Sequence, residues 1–507
     1  MSSFSEDHTH HRTDTRNGLS VPRRPRPLIF ELGGEESRCV EAPALDVPSI
    51  SEGDALAGTV RRSALDLPHV TEVDIARHYE SLATANFGVD SGFYPLGSCT
   101  MKYNPRVNEW AARLPGFALA HPYQPVESVQ GLLELLFGLQ EALGEVAGLP
   151  AVSLQPAAGA HGELTGLMAI RAYHVDRGDP RRRVIIPDTA HGTNPATVTM
   201  CGYEVTQVPS DARGGVDLAA LRAILDTDVA AIMLTNPNTL GLFDENIAEV
   251  TAAVHAAGAL AYADGANMNA ILGKTRPGDM GFDALHINVH KTFSTPHGGG
   301  GPGAGPVAVR DILAPYLPGP LVGRSAEGTY ELVTPSRSMG RVRSFAGNVG
   351  VLVRAYAYIR ALGGDGLEEV SEQAVLSANY LRHRLRDSAW DLPYDRTCMH
   401  EFVLSGARLR RETGARTLDV AKRLLDYGVH PPTVYFPLLV DEALMIEPTE
   451  TEPLDSLDSF AEALIAIANE AAETPALVKG APYTTPVRRL DEAKAAREPD
   501  LRWRRQR

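Results

Sequence analysis

A chain of 507 residues, 44% hydrophobic and 22% charged, has the composition of a globular protein long enough for two or three domains with a sizeable core. Its formal net charge of −15 argues against general binding to nucleic acid or to an anionic membrane, because those partners call for a basic surface. Nowhere does an apolar stretch reach the length of a membrane span, and His8, His10, His11, Arg12 and Arg16 precede any apolar run, so a signal-peptide core is lacking and a cytoplasmic location is expected. Cys39, Cys99, Cys201 and Cys398 are scattered without a CxxC or other zinc spacing, which indicates neither a disulfide framework nor a metal site.

Residues 1–26 are polar and rich in His, Arg, Ser and Thr, and they read as a disordered tail. Residues 27–125 hold many prolines and few periodic segments, which predicts an extended arm laid over another surface. From Val129 to Leu149, Leu132, Leu136, Leu139, Leu143 and Val146 recur at three- and four-residue spacing and predict an amphipathic helix. Residues 126–330 are expected to form a large α/β domain and residues 331–480 a smaller one. In the smaller, Glu401–Leu404 reads as a strand, and Thr417–Tyr427 as a helix with Thr417 at its N-cap and Gly428 as its stop. Residues 481–507 end on a basic run after Arg502 that reads as a solvated tail.

Within the large domain, Val184–Pro187, Ala230–Leu234 and Leu260–Ala263 read as buried parallel strands. Each ends in a polar cluster: Asp188-Thr189-Ala190-His191, Asn236-Pro237-Asn238 and Asp264-Gly265-Ala266-Asn267. Ligands of open α/β sheets bind beyond the carboxyl ends of the strands, so the three clusters are expected to converge on one site.

Two dozen residues past Asp264 comes Asn288-Val289-His290-Lys291-Thr292-Phe293, then Gly298 to Gly301 and a further strand from Pro306 to Val309. An acid at a strand end followed by a lysine before a glycine-rich loop suits pyridoxal phosphate chemistry. The lysine forms a Schiff base with the cofactor aldehyde, and the carboxylate keeps the pyridine nitrogen protonated so that the ring accepts electrons. A lone lysine is usually a solvated surface charge, but Ile287, Val289 and Phe293 around Lys291 are poor company for one. Upstream, Gln155 to Glu163 places small residues before a helical run from Leu164 to Tyr173. Free backbone N–H groups at Ala158, Gly159 and Ala160 are therefore expected to take the cofactor phosphate, with Asn288 and His290 close enough to assist. A tight turn packing helix on sheet uses the same small residues. His191, just past a strand end, is either a satisfied loop residue or an imidazole stacked on the pyridine ring and able to move protons.

Several long strings carry a family resemblance. They are Phe93 to Pro105, Gln155 to Glu163, Ala190 to Pro195, Asn288 to Pro306, Gly340 to Phe345, Met399 to Phe402 and Met445 to Glu450. From about Phe30 to about Trp503 the chain resembles subunit 2 of the two-subunit glycine cleavage system P-protein. The resemblance implies a fold-type I, aspartate aminotransferase-like pyridoxal phosphate enzyme. It implies glycine as substrate, decarboxylation with transfer of the aminomethyl group to the lipoyl arm of H-protein, and a heterotetramer with P-protein subunit 1. It assigns catalysis to Lys291, His191 and Asp264. It also places Tyr94, Cys99 and Lys102 by the substrate, where Lys102 competes with Arg341 and Arg343 for the glycine carboxylate. Two other readings stay open: a fold-type I decarboxylase or aminotransferase acting on a free small molecule, and a non-catalytic structural subunit.

Overall fold

The computed structural model describes residues 27–34, 37, 43–51, 67–297 and 303–502. His8, His10, His11, Cys39, Gly298 to Gly301 and the basic finish beyond Arg502 lie outside the described residues. Contacts divide the chain into two compact units, 88–482 and the pair of segments 1–87 and 483–507. In the second unit, the helix Glu72–Ala83 starts on a reciprocal cap: Thr71 Oγ1 accepts Asp74 N–H at 3.2 Å, and the Asp74 carboxylate accepts Thr71 N–H at 3.1 Å. The helix Glu492–Arg497 begins at Asp491, whose carboxylate accepts Lys494 N–H at 2.9 Å.

The larger unit is built on a seven-stranded sheet. Its strands are β1 (Ala151–Ser153), β2 (Arg183–Pro187), β3 (Glu204–Val208), β4 (Val229–Thr235), β5 (Leu260–Gly265), β6 (Ala284–Ile287) and β7 (Val307–Val309). Their order is β1-β7-β6-β5-β4-β2-β3; β6 to β3 run parallel, and β7 is antiparallel to both of its neighbours. The strands expected at 184–187, 230–234 and 260–263 are present, each extended by a residue or two, and the one expected at 306–309 is a residue shorter. Alternation along them sorts two cores: Ile185, Ile232, Leu234, Ala261 and Ala263 face one, while Val184, Ile186, Ala231, Met233 and Tyr262 face the other. The predicted amphipathic helix spans Gln130–Ala147 and stops at left-handed Gly148; it buries Leu133, Leu136, Leu139 and Leu143 in the first core. No helix among the described residues is long and apolar enough to cross a membrane.

After a hairpin of β8 (Leu321–Arg324) and β9 (Tyr330–Val333), the helix Val349–Leu385, broken at Gly363, leads to a small antiparallel sheet. That sheet has the order β10 (Phe402–Ser405), β12 (Ala443–Ile446), β11 (Thr433–Val434). The change of core falls inside the long helix: Val370 belongs to the first core, while Ala378, Leu381 and Leu385 join Phe402, Leu444, Phe460 and Leu464 in a separate one. One helix therefore contributes to both cores. The 88–125 portion of the arm belongs to the larger unit, with Phe93 packed edge-on against Phe460 at 5.1 Å and Leu96 bridged to Ile446. The helix Thr417–Asp426 is capped by Arg416, not Thr417: the Asp419 carboxylate accepts Arg416 N–H at 2.8 Å, while the Thr417 hydroxyl donates to the Glu442 carbonyl.

The helix Gly159–Asp176 is pressed against the sheet at two glycines. A Cβ on Gly162 would lie 2.7 Å from the Gly305 carbonyl oxygen, and one on Gly166 would lie 2.3 Å from the Tyr262 ring. Gly166→Ala therefore drives the helix off a fully buried tyrosine. After a gain of about 1 kcal/mol in helix propensity, a net loss of about 1–2 kcal/mol is expected. Chemical or thermal unfolding measures it, and an unchanged midpoint would contradict the close approach.

Candidate active site

Asp264 is the last polar residue of β5 and is almost wholly buried. Its Oδ1 accepts Ala266 N–H at 3.0 Å and lies 3.3 Å from His286 Nε2, and its Oδ2 accepts the Asn194 amide at 3.0 Å. The Tyr262 hydroxyl is 2.9 Å from His286 Nδ1. Burial pushes the Tyr262 phenol well above its ordinary range, with the Glu163 and Asp264 charges adding to the effect, so it keeps its proton and donates it to Nδ1. His286 thereby presents Nε2–H to Asp264. Burial alone would push the Asp264 carboxyl up, but His286, the Asn194 amide and the Lys291 charge outweigh it and hold the group below the usual carboxylate range.

Asn194 is itself held, since its amide also donates to Glu163 Oε2 at 3.0 Å; Glu163 further accepts from Thr193 Oγ1 at 2.7 Å and Thr197 Oγ1 at 3.3 Å. The three strand-end clusters are tied together as expected: Thr239 Oγ1 donates to the Thr189 carbonyl at 2.6 Å, and the Asn267 amide donates to the Pro237 carbonyl at 2.9 Å. His191 is exposed at this rim, edge-on to Phe436 at 5.7 Å, with Nδ1 3.3 Å from Thr193 N.

Lys291 lies on the short helix Val289–Thr292 that follows β6, the strand beside β5. Its Nζ donates to the Ser98 carbonyl at 2.8 Å, which brings the arm to the sheet. The helix start expected for a phosphate begins at Gly159, with Ala158 as an N-cap that offers no side-chain bond. The amides of Gly159 and Ala160 have no acceptor among the described residues. Asn288 packs so close that a Cβ on Gly159 would be 2.4 Å from its Nδ2, and Asn288 Oδ1 is buried without a partner. His290 Nε2 is 3.3 Å from the Asn288 amide; burial, then His297 and Lys291, push its imidazole down to about 3, so it stays neutral. Unmatched amides and small residues at a helix start, with a buried carboxylate and a lysine on neighbouring strand ends, fit pyridoxal phosphate.

Lys102 is placed differently from the expectation that it meets substrate. It is wholly buried, and Nζ reaches Glu450 Oε1 at 2.6 Å, the Thr292 carbonyl at 3.1 Å and the Tyr358 hydroxyl at 3.3 Å. Burial alone would push its ammonium down, yet Glu450 and Tyr358 hold it above the ordinary lysine range. With its three protons engaged, Lys102 pins the arm to the body and has no donor left for a carboxylate. Tyr94 is stacked on His430 at 3.7 Å. The Cys99 thiol is pushed up to about 11 by burial, against the Lys291 charge, and so remains protonated near neutrality. Arg341 and Arg343 have exposed side chains; the Arg343 backbone amide and the Phe345 carbonyl both bond to the Gln155 carboxamide, which sets this segment beside the helix start.

Glu163, Asn194, Ser98, Glu401 and Glu447 received no role from sequence, although each lies within a string that carried the resemblance. His286 received no role either. The one usable signal was the company these residues keep in those strings.

Comparison with known proteins gives a consistent picture. A family model described as glycine cleavage system P-protein matches residues 58–422, and one described as glycine dehydrogenase, C-terminal domain, matches residues 370–481. The chain is 58% identical over 480 residues to the probable glycine dehydrogenase (decarboxylating) subunit 2 of Desulforamulus reducens, covering 94% of this chain and 99% of that one. It is 57% identical to the protein of the same name from Caldanaerobacter subterraneus, over 94% of this chain and 98% of that one. Among solved structures, an inhibitor-bound glycine decarboxylase (P-protein) of the glycine cleavage system aligns with TM-score 0.69 at 23% identity, covering 82% of this chain and 95% of that one. A cysteine desulfurase of Escherichia coli aligns with TM-score 0.58 at 17% identity, over 75% and 95%. Both structures support the fold.

Replacing Lys102 by Met leaves Glu450 charged and buried without its cation, and a loss of about 3–5 kcal/mol in stability is expected. Thermal unfolding of Lys102→Met reads this out. A raised KM for substrate at unchanged stability would instead return Lys102 to the substrate pocket.

Proposed function

The chain belongs to the glycine cleavage system P-protein family, and from that premise we propose that it decarboxylates glycine with pyridoxal phosphate, passes the aminomethyl group to the lipoyl arm of H-protein, and works as the second subunit of a two-subunit enzyme. The observation that carries this reading is the pairing of Asp264, buried and held ionised, with Lys291 on the adjoining strand end. When bound, pyridoxal phosphate supplies an electrophilic carbonyl and a ring that takes up the electron pair left as carbon dioxide departs.

The chain's own residues prepare that chemistry. The Gly159 and Ala160 amides, with the positive end of their helix and the Asn288 carboxamide, suit the phosphate. Asp264 offers its anion to the ring nitrogen, and His286 and Asn194 fix its oxygens so that no reorganisation is needed. Lys291 supplies the amine that holds the cofactor and is displaced by glycine. His191, exposed at the rim, would cover the ring and exchange protons. With Lys102 committed to Glu450, the guanidinium of Arg343, beside the helix start, is our choice for the glycine carboxylate, with Arg341 next in line. In the overall transfer the glycine carboxyl leaves as carbon dioxide, a carbon–sulfur bond forms to one lipoyl sulfur, and the other sulfur takes up a proton as the disulfide breaks.

Exposed apolar residues support a subunit partner. Val107 and Trp110 on the helix Arg106–Ala112 are 53% and 64% exposed, Leu119 and Tyr123 are each 78% exposed, and Tyr123 reaches Phe345 at 5.2 Å. An obligate interface with subunit 1, of roughly 2,000 Å² or more, suits such a surface. The names of the relatives, subunit 2, agree with a split enzyme.

Asp264→Asn removes the anion while preserving shape. The variant is expected to retain cofactor, read by its visible absorbance, and to lose about 100- to 1,000-fold in glycine decarboxylation. Near-normal turnover at full occupancy would remove Asp264 from the ring. The chain alone is expected to bind pyridoxal phosphate but barely to exchange carbon dioxide with the glycine carboxyl, and subunit 1 with lipoylated H-protein restores exchange. Full exchange by the isolated chain with free lipoate, or turnover of a larger amino acid without any partner, would favour a free-substrate decarboxylase.

A further inference from the structure

Ser98 and Thr100 hold left-handed backbone, φ 62° and 51°, a conformation that L side chains disfavour unless their surroundings impose it. Two carboxylates without solvent exposure impose it here. Glu401 Oε2 accepts Ser98 N–H at 2.7 Å, and Glu447 accepts both Thr100 N–H at 2.9 Å and the Thr100 hydroxyl at 2.5 Å. The Thr433 hydroxyl donates to the Gly97 carbonyl at 2.8 Å, and a Cβ on Gly97 would lie 2.2 Å from Met445, so the turn has little room to shift. On its other side the turn presents the Ser98 carbonyl to Lys291 Nζ at 2.8 Å.

Oxygens of Glu401 and Glu447 and a nitrogen of His400 lie within 4.8 Å of one another. Neither ring nitrogen of the fully buried His400 has a hydrogen-bond partner; Nε2 lies 3.8 Å from Glu401 and 3.9 Å from Glu447, but burial outweighs Glu447 and pushes its imidazole down. Two carboxylates this close in a dry interior do not both ionise readily: burial, then the Glu447 charge, push Glu401 well above the usual carboxylate range. A protonated Glu401 keeps its carbonyl-type oxygen on Ser98 N–H, so the hydrogen bond needs no charge.

We propose that this turn is the dock of the free Lys291 amine. Glu401 and Glu447 are positioning residues that hold the Ser98 carbonyl in line with Nζ, so that the lysine, once displaced by the incoming amino acid, stays poised to reclaim the cofactor. The inference rests on the reading of Lys291 as the cofactor lysine. A lysine carries large rotamer entropy, and without a fixed acceptor its displaced amine samples many positions. Neither carboxylate touches the reacting atoms; each acts through the turn.

The test uses the full-length chain freed of cofactor and acetylated with limiting acetic anhydride. Labelling of Lys291 is followed by mass spectrometry against exposed Lys479 in wild type, Glu401→Gln, Glu401→Leu and Thr100→Val. Losing the dock releases Nζ from the Ser98 carbonyl and leaves it freer to meet the anhydride. In Glu401→Leu, relative Lys291 labelling is expected to rise about tenfold, in keeping with loss of a hydrogen bond to a charged group. Glu401→Gln, which keeps an acceptor for Ser98 N–H, is expected to stay within about twofold of wild type. Equal labelling in Glu401→Leu and wild type would overturn the proposal, as would a Glu401→Gln variant that behaves like Glu401→Leu. Should Glu401→Leu not fold, Thr100→Val, which removes only the hydroxyl bond to Glu447, carries the test; a rise of about threefold is expected, and no rise overturns the dock. A separate control distinguishes the underlying reading: borohydride reduction of the wild-type holoprotein fixes the cofactor to Lys291, and a different lysine in that adduct would remove Lys291 itself.

Discussion

Keeping Asp264 ionised where water does not reach is the requirement around which the site is arranged. A carboxylate taken into the interior forfeits several kcal/mol of hydration, and charge-assisted hydrogen bonds return about 1.5–3 kcal/mol each. Asp264 has the Ala266 amide, the Asn194 carboxamide and His286, and each side-chain donor is fixed by a further contact. Asn194 is braced by Glu163, and His286 is given the right tautomer by Tyr262. Tyr262 in turn lies under Gly166, and Glu163 shares that helix. The helix whose first turn suits a phosphate is therefore the one whose middle turns secure the anion for the far end of the same cofactor.

The second constraint is the distance in sequence over which the site is assembled. Ser98 meets Glu401 across 303 positions, Thr100 meets Glu447 across 347, and Lys102 meets Glu450 across 348. Residues 93–105 are sewn to the small sheet on one side and to the lysine-bearing turn on the other. Four of the strings that carried the resemblance, Phe93 to Pro105, Asn288 to Pro306, Met399 to Phe402 and Met445 to Glu450, share no secondary structure and meet at this joint.

Local periodicity made the strands β2, β4 and β5, the helix Gln130–Ala147 and the strand-end clusters legible, because burial on a sheet or helix face writes a period of 2 or 3.6 into the residues. Asp264 and Lys291 stood out because a strand-end acid and a lysine in apolar company are unusual residues in unusual places. Asn194, Glu163, Glu401 and Glu447 were not, since a hydrogen bond between residues dozens to hundreds of positions apart leaves no periodic trace. Lys102 was misplaced for the same reason: its cation was visible, but the partner that commits it is on another element. The change of core inside the helix Val349–Leu385 was equally hidden, because an amphipathic stripe does not say which core it faces. The cap at Arg416 was missed because the side-chain acceptor there is Asp419, one turn into the helix.

Two lysines within this joint differ in how firmly they are held. Lys102 and Lys291 both donate to a backbone carbonyl, Thr292 and Ser98 respectively. Lys102 adds a carboxylate at 2.6 Å, and breaking a buried ion pair strands a charge at a cost of about 3–5 kcal/mol. Lys291 has a neutral carbonyl as its hydrogen-bond acceptor, a contact worth about 1.5–3 kcal/mol at most when the donor is charged. That is enough to orient an amine and little enough to let it go. On the proposed reading of Lys291 as the cofactor lysine, which must leave its resting contact and return, the weaker partner is the one required, and the same arm supplies both: the Lys102 bond to Glu450 and, four residues earlier, the Ser98 acceptor.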